Sequence, residues 1–140
     1  MALSALHLAD KSALEQRRHS DAARRLLEAL LFENMLASCH VIALEVLYSA
    51  RNRADYETLQ RDIEAIQWLP VTEPVMDRAL EVQHLLARRG QHRTPLPDLM
   101  IAAAAEINEA VVLHYDSDFD RIAEVTGQPM RWIVPRGTAG

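Results

Sequence analysis

The sequence predicts an α/β protein with a mainly parallel central sheet that is covered by helices on both faces. Short apolar segments of strand-like composition alternate with longer segments in which apolar residues recur at helical spacing. Aromatic residues make up only 5% of the chain while alanine and leucine are abundant, which favours helices over an all-β design. Neither a repeat nor a low-complexity linker interrupts the 140 residues, so we expect a single domain at 1–134 and a short flexible tail at 135–140.

The composition is that of an ordinary soluble globular protein. Apolar residues make up 49% of the chain, charged residues make up 25%, and the net charge is −5. Cys39 is the only cysteine, so an internal disulfide is excluded and the chain fits a reducing compartment. The longest charge-poor run, residues 41–50, is too short to cross a bilayer, and the N-terminus lacks the pattern of a secretion signal. We therefore expect a cytoplasmic protein that does not enter a membrane.

The first part of the chain predicts two strands separated by a helix. The apolar run at 3–9 is expected to be a strand buried on both faces, as in a parallel sheet. Residues 10–13 form a strand-to-helix turn, and Ser20 is placed to cap a helix at 21–34. The predicted core stripe of that helix contains Ala23, Leu26, Leu27, Leu30 and Leu31. Residues 36–39 are a short strand or a connector.

The middle of the chain predicts three helices and one further strand. Two helices are expected at 41–51 and 55–66, and a strand is expected at 68–71, where prolines limit its length. An amphipathic helix at 75–89 then ends at Gly90. Its predicted core residues are Met76, Leu80, Val82, Leu85 and Leu86.

The last part of the chain carries the most unusual pattern. After a polar loop at 91–97, Asp98 opens an alanine-rich helix that is nearly free of charge and leads into an apolar strand at 111–114. That strand is followed, at alternate positions, by Asp116, Asp118 and Asp120. The remaining expected elements are a short helix at 119–125, a turn at 127–129 and a last strand at 131–134.

Four acidic side chains lie where apolar elements begin or end. Asp10 and Asp116 follow predicted strands, Asp98 begins the alanine-rich helix, and Glu45 is the only charge in residues 41–50. Sites in parallel sheets form beyond the carboxyl ends of the strands, and buried carboxylates are costly unless a cation meets them. Mg²⁺ and Mn²⁺ prefer oxygen ligands, so the pattern predicts a shared site for one or two such ions. Two ions would stabilise both oxygens of an in-line phosphodiester displacement and would activate the attacking water.

Each of these acids also has an ordinary structural explanation. Asp10 can cap a helix, Asp98 can stabilise a helix N-terminus through the helix dipole, and residues 116–120 can form a turn. Glu45 can face solvent or form a buried ion pair with an arginine. A shared cation accounts for all four acids together, but their spacing alone leaves these alternatives open.

The positive charge of the chain is almost entirely arginine, since Lys11 is the only lysine. The arginines occur in groups, which are Arg17 with Arg18, Arg24 with Arg25, Arg51 with Arg53, and Arg88 with Arg89 and Arg93. Solvated helix faces with paired acidic residues are the ordinary explanation. If the acids instead bind divalent metal, their charge is neutralised and the remaining surface is suited to a nucleic-acid backbone.

Four motifs carry a resemblance to a known family. They are L-A-D-K-S-A at 8–13, L-E-V-L-Y-S-A-R at 44–51, P-D-L-M-I-A-A-A-A-E at 97–106 and V-L-H-Y-D-S-D-F-D-R-I-A at 112–123. Together they resemble the PIN domain, and in particular the VapC toxins of bacterial toxin–antitoxin pairs. The resemblance covers nearly the whole chain in order and spacing. It implies a PIN-like three-layer α/β/α sandwich.

The resemblance implies a Mg²⁺- or Mn²⁺-dependent endoribonuclease that inhibits translation and growth. The catalytic and metal-binding quartet would be Asp10, Glu45, Asp98 and Asp116. Asp118 matches a secondary acidic position that can also bind metal, Ser12 would support the first aspartate, and Asp120 is a weaker supporting candidate. We hypothesise that a metal-activated water attacks single-stranded or looped RNA and leaves 5′-phosphate and 3′-hydroxyl ends.

The resemblance also implies three kinds of partner. A small VapB-like antitoxin would cross the cleft and insert an arginine among the acids, whose geometry suits a guanidinium. The helices at 21–34 and 55–66 offer apolar stripes for it, although ordinary core packing explains such stripes equally well. A homodimer is expected. RNA backbone contacts are expected from Arg17, Arg18, Arg51 and Arg93.

Other classes of function fit the sequence less well. A haloacid-type phosphoryl-transfer enzyme needs an aspartate two residues after Asp10, where Ser12 stands, and a response-regulator receiver needs a lysine late in the chain. The six histidines lack the paired spacing of zinc ligands. The remaining alternative is a PIN fold that binds RNA or a protein partner without cutting.

Overall fold

The centre of the molecule is a parallel sheet. A computed structural model describes residues 5–137 of the chain. Its strands are β1 His7–Ala9, β2 Leu36–Ser38, β3 Gln67–Trp68, β4 Val111–His114 and β5 Met130–Trp132. All neighbouring strands are parallel, and their order across the sheet is β3–β2–β1–β4–β5. The direction of strand addition therefore reverses between β1 and β4, and in parallel sheets such a reversal opens a crevice at the carboxyl edge.

Helices connect the strands in sequence. They are α1 Lys11–Glu15, α2 Asp21–Phe32, α3 His40–Tyr48, α4 Arg53–Glu64, α5 Glu73–Ala87, α6 Leu96–Ile107 and α7 Asp118–Thr126, with a short 3₁₀ turn at Gln16–Arg18. The predicted cap at Ser20 is present, because its hydroxyl accepts a hydrogen bond from the Ala23 backbone N–H at 3.1 Å.

The two faces of the sheet bury different helices. Successive residues of a strand point to opposite faces, so Leu8 and Ala9 of β1 enter separate apolar clusters. Leu8 packs with buried residues of α3, α5, α6 and α7, whereas Ala9 packs with those of α1 and α2. Val112 and Leu113 of β4 divide in the same way. The expected α/β/α sandwich with a parallel sheet is confirmed.

The alanine-rich helix α6 is the most deeply buried helix that borders the crevice. Its buried residues are Asp98, Leu99, Ile101, Ala102, Ala103, Ala104 and Ala105. The small alanine side chains allow the helix backbone to pack closely on the sheet and on its neighbours α5 and α7. Because α6 ends just before β4 begins, its C-terminus lies at the amino edge of the sheet and its first turn lies at the carboxyl edge.

Several predicted boundaries are corrected by the structure. Helix α6 begins at Leu96 rather than at residue 98, since Pro97 is compatible with a first helical turn. The strand expected at 68–71 is limited to Gln67–Trp68, and Pro70 has no backbone N–H to extend it. The last strand is Met130–Trp132 rather than 131–134, although Ile133 and Val134 are buried.

Three of the predicted core residues are exposed. Leu31 of α2 is 51% exposed, and Met76 and Leu80 of α5 are 41% and 65% exposed. Helix α5 buries a stripe that consists of Val75, Ala79, Val82 and Leu86, so the predictions for Val82 and Leu86 are confirmed. Apolar residues occur on more than one side of α5, so their periodicity does not decide which side faces the core.

Parts of two predictions lie outside the described residues, namely the start of the strand at 3–9 and the end of the tail at 135–140. Within the described part of this tail, the backbone N–H of Gly137 donates a hydrogen bond to the Tyr115 hydroxyl at 2.9 Å. Among residues 5–137, no helix is long and apolar enough to cross a membrane.

Candidate metal centre

Asp10 stands at the carboxyl end of β1 and caps α1. Its Oδ2 accepts hydrogen bonds from the Ser12 backbone N–H at 3.0 Å and from the Ser12 hydroxyl at 2.6 Å. The residue is only 4% exposed, and its Oδ1 is buried with no hydrogen-bond partner among the described residues. The helix-capping explanation is therefore correct for one carboxylate oxygen and leaves the other unexplained.

Asp98 lies in the first turn of α6, on the other side of the crevice. It is 7% exposed, and its Oδ2 is also buried without a partner in the described part of the chain. The N-terminus of a helix favours an acidic side chain, but it does not require a buried and unpaired oxygen. Asp98 thus resembles Asp10 in presenting one oxygen that the protein itself does not satisfy.

Asp116 and Asp118 complete a compact group with Asp98. Asp116 follows β4, and its Oδ1 accepts a hydrogen bond at 2.9 Å from the backbone N–H of Asp118, the first residue of α7. One carboxylate oxygen from each of Asp98, Asp116 and Asp118 lies within 4.8 Å of the other two. The structure therefore places Asp118, for which the family resemblance implies only a secondary role, inside the closest acidic group.

Mutual repulsion and burial raise the pKa of several of these carboxyls. For Asp98, burial and the charges of Asp10, Asp116, Asp118 and Glu45 raise the pKa to about 8. Burial raises the pKa of Asp10 despite its hydrogen bonds to Ser12, and burial followed by the charge of Asp10 raises the pKa of Glu45. Burial and the charge of Asp116 also raise the pKa of Asp118. Five acids thus share one electrostatic environment in which the protein supplies too little positive charge.

Glu45 and Asp120 occupy the margins of this group. Glu45 projects from α3 and is half-buried, and it forms no ion pair with an arginine in the described part of the chain. The ion-pair explanation for Glu45 is therefore wrong. The Oδ1 of Asp120 accepts a hydrogen bond from Trp132 Nε1 at 3.2 Å, and Asp120 is not part of the closest acidic group.

Ser12 connects the two strand ends that border the crevice. Its hydroxyl donates to Asp10 Oδ2 and accepts from the backbone N–H of Tyr115 at 2.9 Å. This second bond joins residues 103 positions apart in the chain. Ser12 therefore supports Asp10, as expected, and also fixes the end of β4 relative to the end of β1.

We expect the Ser12→Ala variant to unfold more easily, with a free energy of unfolding lower by about 1–3 kcal/mol. The substitution removes the acceptor for the Tyr115 N–H and a donor to the buried Asp10 carboxylate. Urea denaturation measures the difference. Ser49→Ala is the matched control, because that exposed hydroxyl bonds only to a carbonyl in its own helix turn. Equal stability of the two variants would contradict the role of Ser12.

Three of the four predicted RNA-binding arginines lie together. Arg17, Arg18 and Arg51 line a cavity of about 220 Å³ between α1, α3 and α4. Its other polar lining residues are Lys11, Glu15, His19, Ser49 and Asp55. Arg93 is exposed in the loop before α6 and does not line this cavity. The four lysine and arginine side chains outnumber the two carboxylates, so the cavity is basic in a chain of net negative charge.

An apolar groove continues from this basic cavity between α2 and α4. It encloses about 470 Å³, and four of its lining residues, Leu14, Arg17, Val46 and Leu59, also line the basic cavity. The other apolar lining residues are Leu27, Leu31, Leu36, Ile63, Ala65 and Ile66. The stripes predicted for the helices at 21–34 and 55–66 thus do face a common groove, and the exposed Leu31 contributes to it.

Sequence reasoning missed the residues that hold the acids in place. Tyr115 gives its backbone N–H to Ser12, the ring of His114 accepts a hydrogen bond from the backbone N–H of Asp116, and Trp132 binds Asp120. The only available signal was the position of polar and aromatic residues beside the acids at the end of β4. That signal does not specify which atom contacts which.

The fold and the acidic group together define a class of protein. It is a parallel α/β sandwich with a crevice where the strand order reverses, and carboxylates meet in that crevice. Two of their oxygens have no hydrogen-bond partner in the described part of the chain, and carboxylate oxygens are the ligands that hard divalent cations prefer. Comparison with known proteins agrees with this class. The PIN domain family model matches residues 11–125.

Named relatives identify the group within this family to which the chain belongs. The chain is 46% identical over 132 residues to Ribonuclease VapC51 of Mycobacterium tuberculosis, with 94% of this chain and 96% of the relative covered. It is 44% identical over 137 residues to Ribonuclease VapC21 of the same species, with coverage of 95% and 97%. The chain therefore belongs to the PIN-domain family, and within it to the VapC ribonucleases.

Solved structures share the fold at much lower identity. The DNA-bound VapBC of Salmonella typhimurium matches with a TM-score of 0.75 at 17% identity, and the match covers 93% of this chain and 99% of that one. VapBC2 of Rickettsia felis, bound to a promoter DNA fragment, matches with a TM-score of 0.72 at 17% identity, with coverage of 91% and 98%. These similarities show a common fold.

Proposed function

We propose that this chain is a divalent-cation-dependent endoribonuclease and the toxin of a toxin–antitoxin pair. The observation that carries the proposal is the convergence of five carboxylates in a chain whose relatives are named ribonucleases. Two of these carboxylates have a buried oxygen that finds no hydrogen-bond partner within residues 5–137. We place this activity in the cytoplasm, where the buried thiol of Cys39 would remain reduced. Cleavage of RNA that requires Mg²⁺ or Mn²⁺ tests the proposal.

The acidic group fits a Mg²⁺ or Mn²⁺ ion. Asp98, Asp116 and Asp118 would hold the cation, with Asp10 and Glu45 beside it, because carboxylate oxygens are the ligands that these ions prefer. The high pKa of Asp98 supports the fit, since it reports an excess of negative charge that a cation would relieve. When bound, such a cation lowers the pKa of water and stabilises negative charge on phosphate oxygens.

The side chains around the acids favour attack by water rather than by a protein nucleophile. The Ser12 hydroxyl is engaged with both Asp10 and Tyr115, and the only cysteine is buried. The oxygen of a water molecule would bond to phosphorus while the bond to the 3′ oxygen breaks. The products would carry 5′-phosphate and 3′-hydroxyl ends, and an ionised carboxylate beside the phosphate would accept the proton of the water.

We propose that the basic cavity holds the RNA backbone. Lys11 on its wall directly follows Asp10, and Val46 on its wall directly follows Glu45, so the cavity adjoins the acidic group. We propose that Arg17, Arg18 and Arg51 contact phosphates next to the cleaved bond, and that Arg93 contacts a more distant part of the strand. Such contacts position the RNA without specifying its sequence, and a single strand or loop suits the crevice.

We expect the Arg17→Ala/Arg18→Ala double variant to bind RNA more weakly and with less dependence on salt. Loss of two phosphate contacts to a single strand lowers the slope of log affinity against log salt by about 1.4. Filter binding between 50 and 300 mM salt, with the cation omitted, measures this slope. The Arg88→Ala/Arg89→Ala variant is the control, because it removes an adjacent arginine pair from the end of α5, outside the cavity. An equal change in both variants would contradict the assignment.

The apolar groove is placed to hold a VapB-like antitoxin. A chain segment in the groove between α2 and α4 would cover apolar side chains such as Leu31 and Ile66, and its end would reach the basic cavity and then the acids. An arginine delivered there would pair with the carboxylates in the place of the cation. The structural neighbours include complexes of VapB with VapC, which supports a partner of this kind.

We propose that a homodimer forms through an exposed apolar patch between α5 and the start of α6. Met76, Leu80 and Leu96 are 41%, 65% and 61% exposed, and the patch adjoins the turn that carries Asp98. Exposed patches of this kind often mark protein interfaces. We expect Leu80→Glu to convert the dimer to a monomer in light scattering, whereas Leu44→Glu on α3, at 70% exposure, should remain dimeric. A wild-type monomer, or a Leu80→Glu dimer, would contradict this interface.

A further inference from the structure

We infer that His114 is a positioning residue for the acidic group, and that its Nδ1 fixes the backbone from which Asp116 and Asp118 present their carboxylates. The inference rests on the proposed cation site and adds a residue that is neither a ligand nor a contact of the substrate. His114 is the last residue of β4, and it is fully buried.

The hydrogen bonds of the imidazole define its tautomer. The backbone N–H of Asp116 donates to His114 Nδ1 at 3.2 Å, so Nδ1 is an acceptor and the ring proton of the neutral imidazole is on Nε2. Nε2 is buried and has no partner among the described residues. Phe119 and Trp132 enclose the ring, with ring centroids 5.1 and 4.9 Å from that of the imidazole.

The bond to Nδ1 begins a short series of contacts that ends in the acidic group. Asp116, held at its backbone by His114, accepts at Oδ1 from the Asp118 backbone N–H at 2.9 Å. The imidazole thereby sets where the chain turns away from the sheet, and the two carboxylates depend on that turn. Trp132 packs on the same ring and binds Asp120, which holds the start of α7 against β5.

Packing alone does not account for a histidine at this position. A buried donor without a partner destabilises the folded protein, and an apolar side chain of similar size would fill the space without that cost. The acceptor at Nδ1 is the one property of the ring that an apolar side chain cannot supply. Residues that orient ligands in this way commonly change metal affinity tenfold to a hundredfold when they are replaced.

Two substitutions of His114 test the hydrogen-bond acceptor at Nδ1 separately from the volume of the ring. His114→Asn retains an acceptor near the position of Nδ1, whereas His114→Leu retains only apolar volume. His7 provides the matched control, because it is equally buried on the neighbouring strand β1 and its Nδ1 lies 2.6 Å from the Ala5 carbonyl oxygen, away from the acids. Calorimetric titration with Mn²⁺ alone, after circular dichroism has shown that each variant is folded, gives the affinity.

We expect His114→Leu to weaken Mn²⁺ binding by about tenfold, His114→Asn to restore it to within about threefold of the wild type, and His7→Leu to leave it unchanged. The ¹⁵N NMR spectrum of the wild-type imidazole should show an unprotonated Nδ1 and a protonated Nε2. This spectrum needs no variant, so the inference stays testable even if His114→Leu fails to fold.

The outcomes distinguish this inference from the proposed function. A wild-type protein that binds Mn²⁺ no more tightly than His114→Leu, or a wild-type Nδ1 that carries the proton, overturns the positioning role and leaves the proposed function intact. A wild-type protein that binds no Mn²⁺ at any accessible concentration overturns both.

Discussion

Replacing Asp98 with asparagine is expected to make the cation-free protein more stable at pH 8.5 and to remove its ribonuclease activity. The wild-type carboxylate is buried among four other acids, and these neighbours together with burial raise its pKa to about 8. An uncharged amide ends this repulsion and can donate hydrogen bonds to the remaining carboxylates. The melting temperature in the presence of a chelator should rise by at least about 4 °C, which corresponds to about 1 kcal/mol for a domain of this size.

The expected loss of ribonuclease activity in Asp98→Asn has its cause in the same carboxylate. Asp98 supplies one of the three oxygens of the closest acidic group, so Asp98→Asn should lower cleavage at least about a hundredfold. Asp77→Asn is the control, since it removes the same charge from an exposed position on α5. A variant that is both less stable than the wild type and still active would refute the account of Asp98.

The second large expected effect is that a divalent cation stabilises the folded protein, and this stabilisation should increase with pH. Asp98 has a pKa of about 8 in the folded protein against an ordinary value of 3.8, so between these values the folded state holds a proton that the unfolded state has lost. The contribution of this Asp98 proton to the free energy of unfolding is complete below pH 3.8 and is lost as the pH rises through 8. A bound cation takes the place of that proton, and its binding is favoured when the ligands are ionised.

Titration of the buried histidines changes the stability of the folded protein in the opposite direction and at lower pH. Burial lowers the pKa of His114 from 6.5 to about 4, so the unfolded state binds the additional proton between these values and stability rises with pH there. Burial lowers the pKa of His7 in the same direction. What remains of these contributions above pH 6.5 also raises stability, so a fall in stability between pH 6.5 and 8.5 has the sign of the acidic group and not of the histidines.

Thermal melting across that window tests the prediction. With a chelator, the melting temperature of the wild type should fall from pH 6.5 to 8.5, whereas that of Asp98→Asn should change less. A cation at a hundred times its dissociation constant stabilises the folded protein by about 2.7 kcal/mol, or on the order of 10 °C. At one fixed cation concentration the shift should be larger at pH 8.5 than at 6.5, because ionised ligands lower the dissociation constant. A cation effect that is independent of pH would mean that the ion binds elsewhere.

The parallel sheet and the convergence of the acids could be predicted from the sequence for a clear reason. A strand that is buried on both faces is apolar along its whole length, as Val111–His114 nearly is, so a carboxylate directly after it marks a strand end. The carboxyl ends of parallel strands share one edge, which brings Asp10 and Asp116 to the same crevice. Glu45 and Asp98 stand out in the sequence as acids in otherwise apolar helical segments, and the family resemblance groups all four acids in one site.

Other features depend on tertiary packing and could not be read from the sequence. The sequence predicts the buried side of α5 only in part, because Ala79 contributes little to an apolar pattern although it is buried, while Leu80 is exposed. The importance of Asp118 depends on the turn after β4, whose geometry is fixed by the backbone N–H groups of Asp116 and Asp118. The bond between Ser12 and Tyr115 spans 103 residues and leaves no local signal.

The most direct test of the central claim is to map the 5′ ends of bacterial RNA after incubation with the purified, antitoxin-free protein. The wild type and Asp77→Asn should produce discrete cuts that carry 5′-phosphates and require Mg²⁺ or Mn²⁺, and these cuts should vanish in Asp98→Asn. If the wild type and Asp98→Asn give the same background while the folded protein still binds RNA or an antitoxin, the acidic group does not cut RNA. The chain would then be a binding module on a PIN fold.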